Sequence, residues 1–294
     1  MPCPHCAGEA AEVLEPYLGT HAIFRRMGVA RCAGCGLVYA TPQPTAEELT
    51  EYYRHYWDGE VAVSTPSTRR YYLAQSASRV DYLRRHGFPA GPRPAVLDVG
   101  AGLGLFHDGL ALRGITHDFH ATETDGEQLA GLKGRFGDDH AATDISGLPA
   151  GATYDLLVLS HVLEHMADPH GFLAAILGRL NPGGLLLVEV PNGDYRYKNN
   201  FESHLLFFAP ETLRALLARH GEVVDVSTVG APAASLRITQ VHPEQGLLRP
   251  LKELVKTVIA TLTPAFTDAQ IARYGMSDYG GDRQWLRALL RKPG

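Results

Sequence analysis

Nowhere in its 294 residues does the chain collect the roughly 18 consecutive apolar residues that a membrane-spanning helix needs. Its first residues, MPCPHCAGEA, carry neither the basic start nor the apolar core of a secretory signal, so a cytoplasmic location is expected. Basic residues do not predominate: 27 Lys and Arg face 32 Asp and Glu, for a formal net charge of -5. That balance offers a phosphate backbone no general attraction, and no nucleic-acid partner is expected. No internal repeat is evident, which excludes a solenoid. Cysteine is scarce, four residues in all, and every one lies before residue 36 in two close pairs. In a reducing compartment such spacing points to metal ligation rather than to a disulfide framework. What is present is a globular balance of 45% hydrophobic and 20% charged residues, enough to fill a core.

Four sections follow from the pattern along the chain. Residues 1–45 are rich in Cys, Gly and Pro and short of apolar periodicity, as a small metal-stapled ribbon would be. Residues 46–92 hold two helical runs, TAEELTEYYRHYW and RRYYLAQSASRVDYLRRHG. Thr45 and Glu48 stand at capping-box spacing before the first, and Gly87 closes the second; GFPAGPRP then reads as a linker. Across residues 93–242 short apolar strands alternate with helices, which predicts an α/β domain with a mostly parallel sheet covered on both faces. The strands expected there are 95–99, 119–123, 154–159 and 185–190, with EVVDVSTV and SLRITQV as an antiparallel hairpin at the sheet edge. Residues 243–294 read as a helical C-terminal extension. Its runs LLRPLKELVKTVIATL and QWLRALLRKPG have amphipathic spacing, which suits docking on the protein or a second subunit better than contact with a membrane.

The richest segment is VLDVGAGLG, Val96 to Gly104. A strand ending in Asp98 and followed by Gly100, Ala101, Gly102 and Gly104 makes a tight turn at the carboxyl edge of a sheet, where open α/β folds bind ligands. A dinucleotide binder would place its third glycine at position 105, which is Leu105 here. The sequence D-x-G-x-G-x-G instead resembles the first motif of class I S-adenosylmethionine-dependent methyltransferases. Further stretches resemble that family in its order: Glu123 ending the second strand, Asp144 and Ile145, YDLLVLSHVLEHMADP, and LNPGGLLLVEVPN. The resemblance implies a Rossmann-like class I methyltransferase sheet with an antiparallel edge hairpin, and S-adenosylmethionine as cofactor. It places Glu123 and Thr124 at the ribose, Asp144 and Ile145 at the adenine, and Ser160 and His161 beside the cofactor.

Cys3-x-x-Cys6 and Cys32-x-x-Cys35 form two knuckles whose spacing favours one structural Zn²⁺ over redox thiols or an iron–sulfur cluster. His5, inside the first knuckle, is expected to be exposed. CAGCGLVYATPQPTAEELTEYYRHYW is similar to the amino-terminal region of bacterial methyltransferases acting on sugars and other biosynthetic small molecules, where the zinc unit and following helices cover the substrate side of the pocket.

For a catalytic base the chain offers His161, Glu164 and His165 after the fourth strand of the sheet, and His204 in FESHLLFFAPETL. His204 leads, because the segment resembles the region of sugar methyltransferases that carries a catalytic His, and imidazole titrates near working pH; His165 is the second candidate. A metal on His161 and His165 lacks a third ligand by spacing. The related sugar C-methyltransferases have Tyr and Glu just before their His, whereas Phe201, Glu202 and Ser203 precede it here, so O-methylation moves ahead of C-methylation. Glu164, Asn192 and Tyr195 are candidates to orient the acceptor, and the aromatic residues Tyr52, Tyr53, Tyr56, Trp57, Tyr71 and Tyr72 either line the pocket or fill a core. The expected function is O-methylation of a sugar or other biosynthetic small molecule. An RNA methyltransferase guided by the ribbon and a catalytically silent zinc-ribbon binding protein are the alternatives.

Overall fold

A computed structural model describes residues 2–54, 66–236 and 264–294. Three short strands, β1 (Ala10–Pro16), β2 (Gly28–Cys32) and β3 (Val38–Thr41), form an antiparallel ribbon that carries the two cysteine knuckles. Helix α1 (Ala46–Arg54) starts with the expected capping box: Glu48 N–H donates to Thr45 Oγ1 at 3.2 Å, and Thr45 N–H donates back to Glu48 Oε2 at 2.8 Å. Helix α2 (Pro66–Arg85) ends at Gly87, whose φ of 88° is open to a residue without Cβ.

The main sheet is built from β4 (Ala95–Val99), β5 (Asp118–Thr122), β6 (Ala141–Ala142), β7 (Tyr154–Ser160), β8 (Leu180–Pro191), β10 (Glu222–Pro232) and β11 (Arg283–Arg291), in the order β10-β11-β8-β7-β4-β5-β6. All neighbouring pairs from β8 to β6 are parallel, and the strands match the expected ones within a few residues. Helices α3 (Leu105–Leu112), α4 (Gly126–Phe136), α5 (Pro169–Leu177) and α6 (Pro210–Leu217) make the crossovers, and the short α7 (Ala233–Leu236) and α8 (Pro264–Arg273) follow. Because neighbouring strand residues face opposite ways, Val96, Leu156 and Leu187 join one core with Phe106, Leu110 and Leu132, while Leu97, Leu157 and Val188 join the other with Ile176 and Leu213. Each fully buried leucine contributes about 2 kcal/mol of transfer free energy.

That second core continues into the ribbon, taking in Cys32, Tyr39 and Phe24. The short β9 (Leu206–Phe207), directly after His204, pairs with β3 as the ribbon's fourth strand. Ribbon and sheet are thus fused at the segment that carries the leading base candidate.

The edge of the sheet differs from expectation. QWLRALLR is no helix: it is β11, lying antiparallel between β8 and β10. The described partner of β10 is β11; of SLRITQV, residues 235–236 end α7 and 237–241 lie outside the described residues, as does LLRPLKELVKTVIATL. Leu, Arg and Ala favour helices, and a strand buried on both faces shows no alternation, so packing overrides local propensity here. Among the described residues no helix is long and apolar enough to cross a membrane.

Candidate active site

The strand order reverses on either side of β4, and at the carboxyl ends of β4, β5 and β7 a cavity of about 910 Å³ opens. That volume suits a cofactor together with a substrate, since small-molecule sites run to about 300–1,000 Å³. Asp98, Gly100, Ala101, Gly102, Glu123, Thr124, Asp144, Ile145, Ser160 and His161 all line it. Gly104 does not. It caps α3 at φ 68°, and a Cβ there would meet Leu132 Cδ2 at 2.9 Å, so its role is to let the turn pack on α4. Gly100, at φ 69°, is equally constrained, since a Cβ would come within 2.7 Å of Val162 Cγ2.

Glu123 is nearly buried. Its Oε2 accepts the Gly102 N–H at 2.8 Å and its Oε1 the Asp125 N–H at 3.0 Å and the Thr124 hydroxyl at 3.5 Å, so the carboxylate ties the glycine loop to the end of β5 while Oε2 keeps a lone pair. Burial raises its pKa. Asp98 is buried with no hydrogen-bond partner on Oδ1, and desolvation pushes its pKa up to about 7. A lone carboxylate at the wall of a cavity is a place for a cationic group.

The opposite wall comes from α1, α2 and the loops after β7 and β8. Tyr53 and Tyr72 line the cavity, whereas Tyr52 packs edge to face with Phe24 and Tyr71 with Tyr274; Tyr56 and Trp57 lie outside the described residues. Gln75 and Arg79 of α2 reach Glu189 at the end of β8, donating to its Oε1 at 2.9 Å each, while Arg287 of β11 donates to Oε2 at 2.7 Å. Glu189, Arg79 and Arg287 are all buried, and the two guanidinium groups hold the Glu189 carboxyl well below the usual range despite its burial. His161 extends this network: Nε2 is 3.6 Å from Glu189 Oε1 and Nδ1 is 3.3 Å from Glu164 Oε1. Burial works against its charged form, but the two carboxylates raise its pKa.

His165 and His204 stand edge to face, 4.9 Å between ring centres, and both line the cavity. His165 Nδ1 donates to the Ser203 carbonyl at 3.0 Å, and burial lowers its pKa to about 4, so the ring is neutral at working pH. His204 Nδ1 lies 2.8 Å from Asp194 Oδ2, which also pairs with Lys198 Nζ at 2.8 Å. Despite full burial, His204 and Lys198 hold the Asp194 carboxyl below its ordinary range. The ribbon secures this loop: Tyr17 OH donates to the Phe201 carbonyl at 2.8 Å and to the His204 carbonyl at 3.0 Å. Glu202, in the segment that departs from the C-methyltransferase pattern, faces away and accepts from the His21 N–H at 3.0 Å and Tyr52 OH at 3.3 Å.

The proposed acceptor-orienting residues fare differently. Glu164 sits fully buried behind His165. Asn192 and Tyr195 line a separate cavity of about 400 Å³ against the ribbon; Asn192 Nδ2 donates to the Arg283 carbonyl at 2.8 Å. Gly193, at φ 54°, turns the chain so that Asn192 and Tyr195 face the ribbon-side cavity while Asp194, Tyr197 and Lys198 face the His204 side. Asp194 was legible only as a carboxylate shortly beyond a strand end, between the two residues singled out there.

In the ribbon the four cysteine sulfurs lie within 4.8 Å of one another, with Cys3 and Cys35 at 3.6 Å and Cys6 and Cys32 at 3.4 Å. A tetrahedral Zn²⁺ with bonds of about 2.3 Å spaces sulfurs by roughly 3.8 Å, so the set fits one such ion. His5 is not exposed as expected. It is 8% exposed and stacks on His170, its Nδ1 3.1 Å from His170 Nε2, which fastens the first knuckle to α5.

Residues 67–225 match a family model described as a methyltransferase domain, more than half of the chain. The chain belongs to the class I S-adenosylmethionine-dependent methyltransferases. Among relatives of this methyltransferase, a ubiquinone biosynthesis O-methyltransferase of Marinobacter nauticus is 34% identical over 125 residues, 39% of this chain and 50% of that protein. One of the same name from Parvibaculum lavamentivorans is 31% identical over 100 residues, covering 33% and 40%. The matches therefore span half or less of the relatives' length. Among solved structures, the 1,6-didemethyltoxoflavin-N1-methyltransferase of Burkholderia thailandensis shares the fold with a TM-score of 0.51 at 20% identity, over 94% of this chain and all of that one. The plantazolicin methyltransferase BpumL does so at 0.50 and 13%, over 84% and 96%.

Proposed function

We propose that this methyltransferase moves the methyl group of S-adenosylmethionine to an oxygen of a small biosynthetic molecule, sugars being one class in view. The observation that carries the reading is the His204–Asp194 pair, 2.8 Å apart, on the wall of the same cavity that the glycine loop and Glu123 line. Methyl transfer from a sulfonium is an in-line displacement: the O–C bond forms as the S–C bond breaks, and the electron pair stays on sulfur. Oxygen attack also requires the hydroxyl to lose its proton, and deprotonation depends on His204, whose ring Asp194 holds in one orientation. The names of the partly matching relatives support oxygen as the acceptor atom.

The cofactor fits the residues present. Glu123 retains a lone pair on Oε2 for a ribose hydroxyl, the cavity admits backbone approach at Gly100 and Gly102, and Asp98 supplies negative charge for the ammonium of the methionine part. The ribbon is assigned a structural Zn²⁺ on Cys3, Cys6, Cys32 and Cys35. Calorimetry with S-adenosylmethionine and a turnover assay on hydroxyl-bearing acceptors test the reading. His204→Ala is expected to keep cofactor affinity and to lose turnover by at least about 100-fold; normal turnover removes His204 from the reaction.

A further inference from the structure

Glu164 is the anomaly beside the active site. It is 0% exposed, and its close partner is His161 Nδ1, 3.3 Å from Oε1 in an ion-pair contact without hydrogen-bond geometry, while Oε2 accepts no hydrogen bond. A buried carboxylate with one oxygen unpaired is costly, and such a group gains from a cation. Beside it stand two imidazoles, and one ligand atom each from Glu164, His165 and His204 lie within 4.8 Å of one another.

The surroundings of the two rings match those of metal ligands. A metal-binding histidine directs its other ring N–H to a carbonyl or a carboxylate, which fixes the tautomer and leaves the free nitrogen as a lone pair. His165 Nδ1 is held by the Ser203 carbonyl at 3.0 Å, and His204 Nδ1 by Asp194 at 2.8 Å. Both outer partners are set by unusual backbone: Ser203 has a φ of 60°, and Asp194 follows Gly193 at φ 54°.

We propose that Glu164, His165 and His204 form a seat for one divalent first-row metal ion at the wall of the methyl-transfer cavity. Two imidazoles and one carboxylate leave open positions, which here face the cavity because both rings line it. Bonds of about 2.1 Å would draw the three ligand atoms to roughly 3 Å apart, a closure within reach of side-chain rotation. An acceptor hydroxyl entering an open position loses its proton to water far more readily than a free one, and the resulting oxygen attacks the methyl carbon while sulfur keeps the S–C electron pair. This rests on the oxygen-acceptor reading and specifies how deprotonation depends on His204: the residue serves as a ligand. The third ligand that spacing alone did not supply for the HVLEH segment comes from 39 residues further along the chain.

The test uses the full chain and Mn²⁺, which has little affinity for a four-thiolate site. Electron paramagnetic resonance of free Mn²⁺ during titration is expected to show one ion bound per chain, with binding weakened at least about tenfold in Glu164→Gln and in His165→Ala, while both variants keep wild-type affinity for S-adenosylmethionine. Absence of Mn²⁺ binding by the wild-type chain, or binding that both variants leave unchanged, overturns the seat. Turnover of hydroxyl acceptors with and without Mn²⁺ separates the two proposals. Full turnover in metal-free buffer overturns the seat and leaves the oxygen acceptor standing; variant-sensitive Mn²⁺ binding with no hydroxyl acceptor methylated supports the seat and overturns the acceptor.

Discussion

Asp194 Oδ2 stands 2.8 Å from His204 Nδ1 and also 2.8 Å from Lys198 Nζ, inside a loop that the ribbon's Tyr17 pins from the other side. The carboxylate, fully buried, fixes which nitrogen of His204 carries the proton and so leaves the other as a lone pair. Asp194→Asn keeps the volume and removes the charge. Turnover is expected to fall about 10- to 100-fold with cofactor affinity unchanged. Steady-state kinetics beside calorimetry checks this, and an undiminished kcat shows that Asp194 does not position His204.

What was readable beforehand and what was not divide along a physical line. Gly100, Gly102, Glu123 and Asp144 sit at strand ends whose apolar runs are local signals, and all of them line the same cavity. Thr45 and Glu48 were equally legible, because a capping box spans four residues. Glu164 was visible as a residue but not as the neighbour of His204, which arrives through the segment that leads into β9 and the ribbon. Arg287 looked like the polar face of a helix. It is instead a buried cation in a central strand, a state that depends on Glu189 nearly a hundred residues away.

That network yields an ordered stability prediction. Glu189 balances two buried guanidinium groups, so Glu189→Gln leaves both Arg79 and Arg287 without their countercharge and should cost about 3–5 kcal/mol. Arg287→Met removes one cation and leaves a one-to-one pair of Arg79 and Glu189, and it is expected to cost less. Urea unfolding of the two variants decides it. The reverse order would mean that Arg287 acts through its bonds to the Ser78 carbonyl and Tyr279 more than through charge.

Cofactor binding should depend on pH through Asp98. Its pKa, raised by burial to about 7 from an ordinary 3.8, means that the folded protein holds this proton more tightly than the unfolded chain. The contribution to stability is therefore full below about 3.8 and declines as pH rises toward 7. Affinity for S-adenosylmethionine runs the other way, because only the ionised carboxylate attracts an ammonium, so binding should tighten as pH rises through about 7. Asp98→Asn is expected to bind roughly 10- to 100-fold more weakly and with a flattened pH dependence. Calorimetry from pH 6 to pH 8.5 tests this; an unchanged slope in the variant assigns the dependence to another group.

Removing the Zn²⁺ proposed for the ribbon should reach the active site through Tyr17. Without an ion to draw Cys3, Cys6, Cys32 and Cys35 together, a small unit with little core of its own loses the energy that folds it. Its strand β3 then no longer pairs with β9, and Tyr17 no longer holds the Phe201 and His204 carbonyls. The glycine loop and Glu123 belong to the main sheet and have no such dependence. A thiol-competing chelator is therefore expected to abolish turnover while cofactor affinity changes by less than about tenfold, and added Zn²⁺ should restore it. Tyr17→Phe isolates the last link: it leaves every cysteine in place, removes the single hydroxyl proton that the Phe201 and His204 carbonyls share, worth about 0.5–1.5 kcal/mol, and should lower kcat without releasing metal. If Tyr17→Phe turns over like the wild type, the ribbon supports the site through the β3–β9 pairing alone, and Tyr17 is a packing residue.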